Sequence, residues 1–227
     1  MCLERDLYQW MQPRIFLIIS LLISIIYPSI LGDVENMNYL RLFFHAFLEV
    51  GFIEEFSKWF MVYKISYNNK EFDEFYDMVL YGAFVALGFA FFENIFYVLD
   101  GGISTGIIRA FLAIPGHTCD GIFMGYYLGL AKNSEILNDG LKKKYIFLSI
   151  LVPTVMHGIY DFCLFTENII FIIIFFVFII SMYVYIIKKV NKVALNNKKI
   201  IYKDKFCPVC GNPVNSEFCP NCGNKNE

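Results

Sequence analysis

Apolar and polar stretches alternate along the chain, and most of the apolar stretches are about as long as a membrane-spanning helix. Crossing a hydrocarbon core of ~30 Å takes about 20 apolar residues in an α-helix. Six stretches are predominantly apolar: residues 15–32, 42–63, 78–99, 103–131, 145–165 and 169–187. The pattern predicts an all-α polytopic membrane protein with about six transmembrane helices.

The first apolar stretch differs from a cleaved signal peptide. A signal peptide begins with a basic segment that lacks acids, and a small-x-small cleavage site follows its apolar core. Here Glu4 and Asp6 precede the apolar core, and no such site follows it. We therefore expect residues 15–32 to remain in the protein as its first transmembrane helix.

The basic residues outside the six stretches lie almost entirely on one side. Six spans place both termini on the same side of the membrane, and cytoplasmic segments carry the excess of Lys and Arg. The loops opposite the termini, at 33–41, 100–102 and 166–168, contain Arg41 as their one basic residue. We expect a multi-pass protein of the cell membrane with both termini in the cytoplasm.

The amino-acid composition is typical of a membrane protein, and together with the charge it indicates which classes of partner to expect. The chain is 57% hydrophobic and 19% aromatic, whereas soluble domains are about 45–50% apolar. The net charge is −2, and the charges are separated by topology rather than gathered on one basic face. The lipid bilayer is therefore an expected partner, and nucleic acid is not.

Two acids and a base interrupt the second apolar stretch. Glu54, Glu55 and Lys58 fall within about 100° of one another around a helix, and Gly51 lies on the same face. Each ionisable residue at the bilayer centre costs roughly 2.5–3.5 kcal/mol on insertion scales, so a cluster needs a reason. One explanation is a buried ion pair that locks two helices together, and the other is a functional site.

Three further motifs place polar residues in the next three stretches. Glu93 and Asn94 follow an aromatic run, and His117 follows a Pro-Gly pair that can break the helix and free backbone groups. His157 and Asp161 are spaced i, i+4, which lets a carboxylate orient an imidazole or join it in binding a metal. A single buried histidine is more often a packing residue than a ligand. Four such motifs on four consecutive helices favour one shared site.

Small residues recur at intervals of four in the third and fourth stretches, where they allow close approach of helix backbones. They are Gly82, Ala86 and Ala90 in the third stretch and Gly121, Gly125 and Gly129 in the fourth. His117 is one step further along the second series, so we expect it to face a neighbouring helix. The first and sixth stretches contain no ionisable residue, and we expect them to be lipid-facing walls around four inner helices. The inner helices also carry Glu49, Arg109 and Asp120.

Taken in order, the four motifs resemble those of the PrsW family of intramembrane proteases, within the superfamily of CAAX prenyl endopeptidases and bacteriocin-processing membrane enzymes. The matching residues are Glu54-Glu55-x-x-Lys58, Phe89-x-x-x-Glu93-Asn94, His117-x-x-x-Gly121 and His157-x-x-x-Asp161, over about 40–165. CAAX-type relatives carry an Arg after the paired Glu and a Phe-x-x-x-His motif. Lys58 and Glu93-Asn94 therefore favour the PrsW type.

The resemblance implies hydrolysis of a peptide bond in or next to a membrane-protein substrate, with an anti-sigma-factor-like regulator as the analogy. Glu54 would be the general base that activates water, Glu55 its partner, and Lys58 would hold the pair in register. The later motifs would supply water or metal ligands, oxyanion donors and the rest of the shell: His117, His157, Glu93, Asn94 and Asp161. The superfamily offers two interpretations, a catalytic divalent metal held by His117, His157 and Glu93, or a metal-free glutamate mechanism.

The C-terminal segment carries a separate metal-binding pattern. Two C-x-x-C pairs, each followed by Gly, supply four thiolates that suit tetrahedral Zn²⁺: Cys207, Cys210, Cys219 and Cys222. The pattern predicts a structural zinc ribbon that docks a cytoplasmic protein, in preference to a redox dithiol. The expected domains are a transmembrane protease domain at 1–190, a basic linker at 191–204 and the ribbon at 205–227.

Functions of another class remain open at this point. The same buried charges could line an ion or metal pathway, with the ribbon as a cytoplasmic sensor. A transporter of that kind usually contains an internal repeat, and the sequence has no second copy of the Glu-Glu motif. A non-catalytic membrane scaffold descended from the protease is a further alternative.

Overall fold

The structure is a computed structural model, which describes residues 34, 37–67, 69, 72, 74–195, 205–206, 209–210, 213–214 and 221–224. The expected first transmembrane helix at 15–32 lies outside these residues, and so does the 196–204 part of the expected linker.

The second apolar stretch forms one helical run built from three consecutive elements. They are α1 (Tyr39–Phe44), the π-helix π1 (His45–Phe52) and α2 (Ile53–Ile65). The run begins at Asn38, whose side-chain oxygen accepts a hydrogen bond from the Arg41 backbone N–H at 2.8 Å. The π-helical middle was not predicted from the sequence. Such wide turns are rare, and they occur frequently at functional sites.

The third and fourth stretches lie in one long element, α3 (Phe75–Leu137), which is interrupted at Gly102. The Gly102 backbone has φ 80° and ψ 177°, a conformation that glycine adopts far more readily than other residues. We call the part before the break α3a (residues 75–101) and the part after it α3b (residues 103–137). The break falls in the expected loop at 100–102.

Helices α3a and α3b pack with their backbones nearly in contact. A methyl group built on Gly82 would collide with the carbonyl oxygen of Gly121, and one built on Gly125 would collide with that of Met78. This agrees with the expectation from the two small-residue series, since only glycine leaves room for such an approach.

Two further helices complete the described bundle: α4 (Lys142–Phe165) and α5 (Ile169–Leu195). Helix α5 buries Phe175, Ile179 and Met182 and leaves most of its other apolar side chains exposed. This agrees with the expected lipid-facing wall.

Within the described residues, three helices are long and apolar enough to cross a membrane, namely α3, α4 and α5. The break at Gly102 divides α3, and the run from α1 to α2 consists of elements that are each short. The protein is therefore a helical membrane protein, and the number of six spans remains an expectation.

The tail contains two short strands, β1 (Lys205–Phe206) and β2 (Pro213–Val214), paired antiparallel. Cys210 and Cys222 lie in exposed turns. Cys207 and Cys219 lie outside the described residues, so the zinc ribbon remains a prediction.

Candidate active site

The paired glutamates lie in the first turn of α2, directly after the π-helix. Glu54, Glu55 and Lys58 are all buried, with 3%, 0% and 0% of their surfaces exposed. Gly51, in π1, has no side chain and therefore allows α4 to pack close to these three residues. A methyl group there would lie 3.3 Å from the Thr154 carbonyl oxygen and 3.4 Å from the Gly158 nitrogen of α4. The approach places His157, which lies between these two residues, beside the acids.

The two glutamates differ in how tightly they are held. Glu55 Oε1 accepts a hydrogen bond from Lys58 Nζ at 2.6 Å and lies 2.8 Å from His157 Nδ1. Glu54 Oε2 is 3.6 Å from Lys58 Nζ and 3.8 Å from His157 Nε2, too far for hydrogen bonds. Glu55 is therefore fixed through Oε1 by two partners, while the same two residues do not reach Oε2 of Glu54 within hydrogen-bonding distance.

His117 of α3b connects the glutamate pair to the third motif. Its Nδ1 lies 2.9 Å from Lys58 Nζ, and its Nε2 lies 2.9 Å from Glu93 Oε2. The His117 and His157 rings meet edge to face, with their centroids 5.1 Å apart. The expectation that His117 faces neighbouring helices agrees with these contacts.

His157 is surrounded by carboxylates. Besides its contacts to the paired glutamates, its Nε2 lies 3.2 Å from Asp161 Oδ2 and its Nδ1 lies 3.9 Å from Asp120 Oδ2. The spacing of His157 and Asp161 predicted the first of these contacts. Asp120 comes from α3b and was given no role from the sequence.

Two residues of the cluster were missed by sequence reasoning. Asp120 is buried three residues after His117, and that spacing on a helix was an available signal. Arg109 Nη2 lies 2.9 Å from Glu93 Oε2. No local pattern links Arg109 to Glu93, because the break at Gly102 brings their helices together.

Asn94 is not among the residues that the structure brings together. Its side-chain nitrogen donates a hydrogen bond to the Gly106 carbonyl oxygen at 3.4 Å. This bond joins α3a to α3b near their common break. Asn94 was expected in the catalytic shell, and this contact instead indicates a role in holding the turn.

His45 belongs to a separate polar cluster in α1 and π1. Its Nδ1 lies 2.9 Å from Glu49 Oε2, and Glu49 also pairs with Arg41. At ~100° per residue, a regular α-helix would place His45 on the face opposite Glu54. That angle does not apply across π1, and His45 is in fact buried against Phe165.

The cluster has the donor chemistry of a divalent-cation site. Two groups have ligand atoms within 4.8 Å of one another, one of Glu55, His117, Asp120 and His157, the other of Glu54, Glu93 and His117. Three buried carboxylate oxygens lack hydrogen-bond partners within the described residues, one each on Glu54, Glu55 and Asp120. Such oxygens are costly unless a proton, a cation or water satisfies them. The residues therefore fit a metal ion.

Paired glutamates, two histidines and further acids are buried together among membrane helices, an arrangement that suits acid–base hydrolysis within a membrane. Residues 14–187 match the family model described as "PrsW family intramembrane metalloprotease". The chain belongs to the PrsW family, and it is a protease.

Curated relatives agree with this family. The chain is 38% identical over 155 residues to "Protease PrsW" of Oceanobacillus iheyensis, covering 68% of this chain and 70% of the relative. It is 40% identical over 149 residues to "Protease PrsW" of Bacillus subtilis, covering 66% of each. The match to "Protease PrsW" of Clostridioides difficile has 30% identity over 203 residues and covers 84% of each. No solved structure matches the chain.

Proposed function

We propose that the chain hydrolyses a peptide bond in or next to a membrane-protein substrate, with water activated by Glu54. The observation that carries this proposal is a single buried cluster that joins Glu54 and Glu55 of α2 to His117 of α3b and His157 of α4. Acids and imidazoles in contact, away from bulk water, are the groups that peptide hydrolysis needs.

Glu54 is the proposed general base because Lys58 and His157 lie beyond hydrogen-bonding distance of its Oε2, whereas both hold Oε1 of Glu55. Glu54 Oε2 is buried and lacks a hydrogen-bond partner among the described residues. A general base must reach the proton that it removes, directly or through one water. Glu55 is the proposed partner, since Lys58 and His157 hold it in place.

Lys58 is the proposed donor to the oxyanion that develops on the scissile carbonyl, because both ring nitrogens of His157 already face carboxylates. Lys58 can only donate, and its ammonium is enclosed by Glu55, His117 and the ring of Phe89, whose centroid is 4.3 Å away. Donors fixed in a site of low dielectric stabilise developing charge more strongly than water does. Asp161 would orient His157 through their 3.2 Å contact.

A divalent metal would be held by the set of Glu55, His117, Asp120 and His157 or by that of Glu54, Glu93 and His117. When bound, such an ion supplies Lewis-acid activation of water and of the carbonyl. The excess of acids over permanent cations favours a metallo-type over a metal-free mechanism.

The proposed arrangement in the membrane has six spans with both termini in the cytoplasm. It rests on the separation of basic residues described above, and on the positive-inside rule. The protease domain at 1–190 would then be followed by a basic linker at 191–204, which meets anionic headgroups, and by a cytoplasmic zinc ribbon. The ribbon would dock a cytoplasmic protein.

The proposed substrate class is a single-span membrane protein, of which an anti-sigma-factor-like regulator is one example. To test this, the protein is co-expressed with a library of tagged single-span membrane proteins, alongside the Glu54→Ala variant. Fragments that appear with the wild type and not with the variant identify substrates. If the two proteins give the same fragments for the whole library, the proposed reaction or its base is wrong.

An ion or metal pathway is the second candidate function. The observation that favours it is the separate polar cluster of Arg41, His45 and Glu49, which lies in the same helical run as the glutamate pair. In that case metal flux into liposomes would be measured without any cleavage. A protein that cleaves and gives no flux excludes this candidate.

A further inference from the structure

We propose that Arg109 is a positioning residue of the proteolytic site, acting through Glu93 on His117. The inference rests on the proposed function, and it adds a residue to which the sequence motifs assign no role. Arg109 lies on α3b, while Glu93 lies on α3a, beyond the break at Gly102.

Arg109 is held from two sides. Its Nη2 lies 2.9 Å from Glu93 Oε2, and its guanidinium carbon lies 3.5 Å from the centroid of the Tyr97 ring. Tyr97 follows Glu93 by one helical turn, so the ring and the carboxylate come from the same face of α3a. Planar stacking together with an ion pair is an arrangement that Arg provides and Lys reproduces only in part.

The same carboxylate oxygen also meets His117. Glu93 Oε2 lies 2.9 Å from His117 Nε2 as well as 2.9 Å from Arg109 Nη2. A guanidinium can only donate and an ionised carboxylate can only accept. Nε2 of His117 must therefore carry the hydrogen that it shares with Glu93.

This determines which nitrogen of His117 is the hydrogen-bond acceptor toward Lys58. In a neutral imidazole with hydrogen on Nε2, Nδ1 carries the lone pair. Nδ1 is the atom that lies 2.9 Å from Lys58 Nζ. A ligand histidine is commonly oriented in this way, by a carboxylate on its other nitrogen. This arrangement corresponds to the ligand set of Glu55, His117, Asp120 and His157, which does not contain Glu93. Arg109 in turn keeps that carboxylate in place.

Arg109 thus influences the site without contacting the proposed base. Without its guanidinium, Glu93 loses one of its two donors and can rotate away from Nε2. His117 could then take the other tautomer, which turns an N–H toward Lys58 in place of a lone pair. The proposal predicts slower chemistry rather than weaker substrate binding.

The test is a double-mutant cycle in purified protein reconstituted in lipid, with a cleavable single-span substrate. Arg109→Gln and Glu93→Gln should each lower kcat by roughly 10–100-fold, as loss of such an orienting contact does, with KM unchanged. The double variant should be no slower than Glu93→Gln alone, because residues that act through one another are not additive. Arg109→Lys, which keeps a donor for Glu93, should recover part of the rate.

Arg41→Gln is the matched control. Arg41 also pairs with a glutamate of the bundle, Glu49, yet this pair lies outside the site, so the substitution should leave kcat at the wild-type value. The proposal is overturned if Arg109→Gln cleaves normally while Glu93→Gln is slow, or if the two losses multiply. It is also overturned if, in both Arg109→Gln and Arg109→Lys, the loss of kcat is explained entirely by a smaller fraction of folded protein. If Glu54→Gln is fully active, the proposed function itself fails.

A spectroscopic measurement tests the same inference without catalysis. Nitrogen NMR of ¹⁵N-histidine-labelled protein in micelles reports which ring nitrogen carries the hydrogen, and His117→Ala assigns the signal. The structure predicts hydrogen on Nε2 of His117 in the wild type. Hydrogen on Nδ1 would contradict the proposed chain of contacts.

Discussion

At the scale of single residues, the cluster assigns different tasks to side chains of the same type. Glu54 Oε2 lies 3.6 Å from Lys58 and 3.8 Å from His157, whereas both residues lie within hydrogen-bonding distance of Glu55 Oε1. Neighbours in sequence thus have different environments, because they point to different sides of α2. Environment of this kind commonly separates a catalytic acid or base from its partner.

The histidines allow a direct comparison of these roles. His117→Ala and His157→Ala should each lower the cleavage rate by at least ~10²-fold, since each removes a donor or ligand from the site. His45→Ala should leave the rate per folded molecule unchanged and lower the melting temperature, because His45 is buried beside Glu49. Cleavage rate and thermal unfolding are measured on the same samples. A large loss of rate in His45→Ala would show that the two clusters are coupled.

Lys58→Met provides a second prediction at this scale. From the family resemblance, Lys58 was expected only to hold the glutamate pair in register. In the structure Lys58 Nζ contacts both Glu55 and His117. Removing one partner of a buried ion pair typically costs about 3–5 kcal/mol. We therefore expect loss of both activity and thermal stability. A variant with wild-type stability would mean that Lys58 is neutral or exposed in the membrane.

At the scale of helices, close backbone contact between α3a and α3b holds the third and fourth motifs together. Gly82→Ala should destabilise the protein by roughly 1–3 kcal/mol, the usual cost of overpacking, because its methyl group would meet the Gly121 carbonyl oxygen. Gly88→Ala is the matched control, since a methyl group there meets no atom within 4 Å. Thermal unfolding in detergent measures both. Equal melting temperatures for the two variants would contradict this packing.

The sequence predicted several side-chain contacts of the site, but it did not predict the local backbone conformation. Spacing alone placed His157 beside Asp161, and the glycine series placed His117 against a neighbouring helix. The π-helix could not be predicted, because a single wide turn leaves no periodic signal. Arg109 could not be assigned either, since its contact with Glu93 depends on the reversal at Gly102.

At the scale of the whole molecule, topology determines which side of the membrane each end reaches. Reporter fusions after Lys70 and after Lys143 should give cytoplasmic signals, and a fusion within 100–102 should give an external one. The reason is the near absence of basic residues from the expected outer loops. An external signal from the C-terminus would contradict the proposed six-span arrangement.

The zinc ribbon is predicted to be a separate module. Elemental analysis should show that Cys210→Ser contains one Zn²⁺ per chain less than the wild-type protein. Cys163→Ser is the control, because Cys163 is buried in α4, far along the chain from the tail. Deletion of 205–227 should leave cleavage in detergent largely intact. If the deletion abolishes cleavage, the tail is part of the catalytic unit.

The central claim is that the buried glutamate pair catalyses peptide hydrolysis. Its most direct test is the cleavage rate of purified protein in lipid, with a single-span substrate, for Glu54→Gln and Glu55→Gln. Each variant keeps the shape of the side chain, and we predict a loss of at least ~10²-fold if acid–base chemistry is at work. Glu49→Gln, a matched change in the separate cluster, should cleave at the wild-type rate. Wild-type rates for both Glu54→Gln and Glu55→Gln would contradict the account.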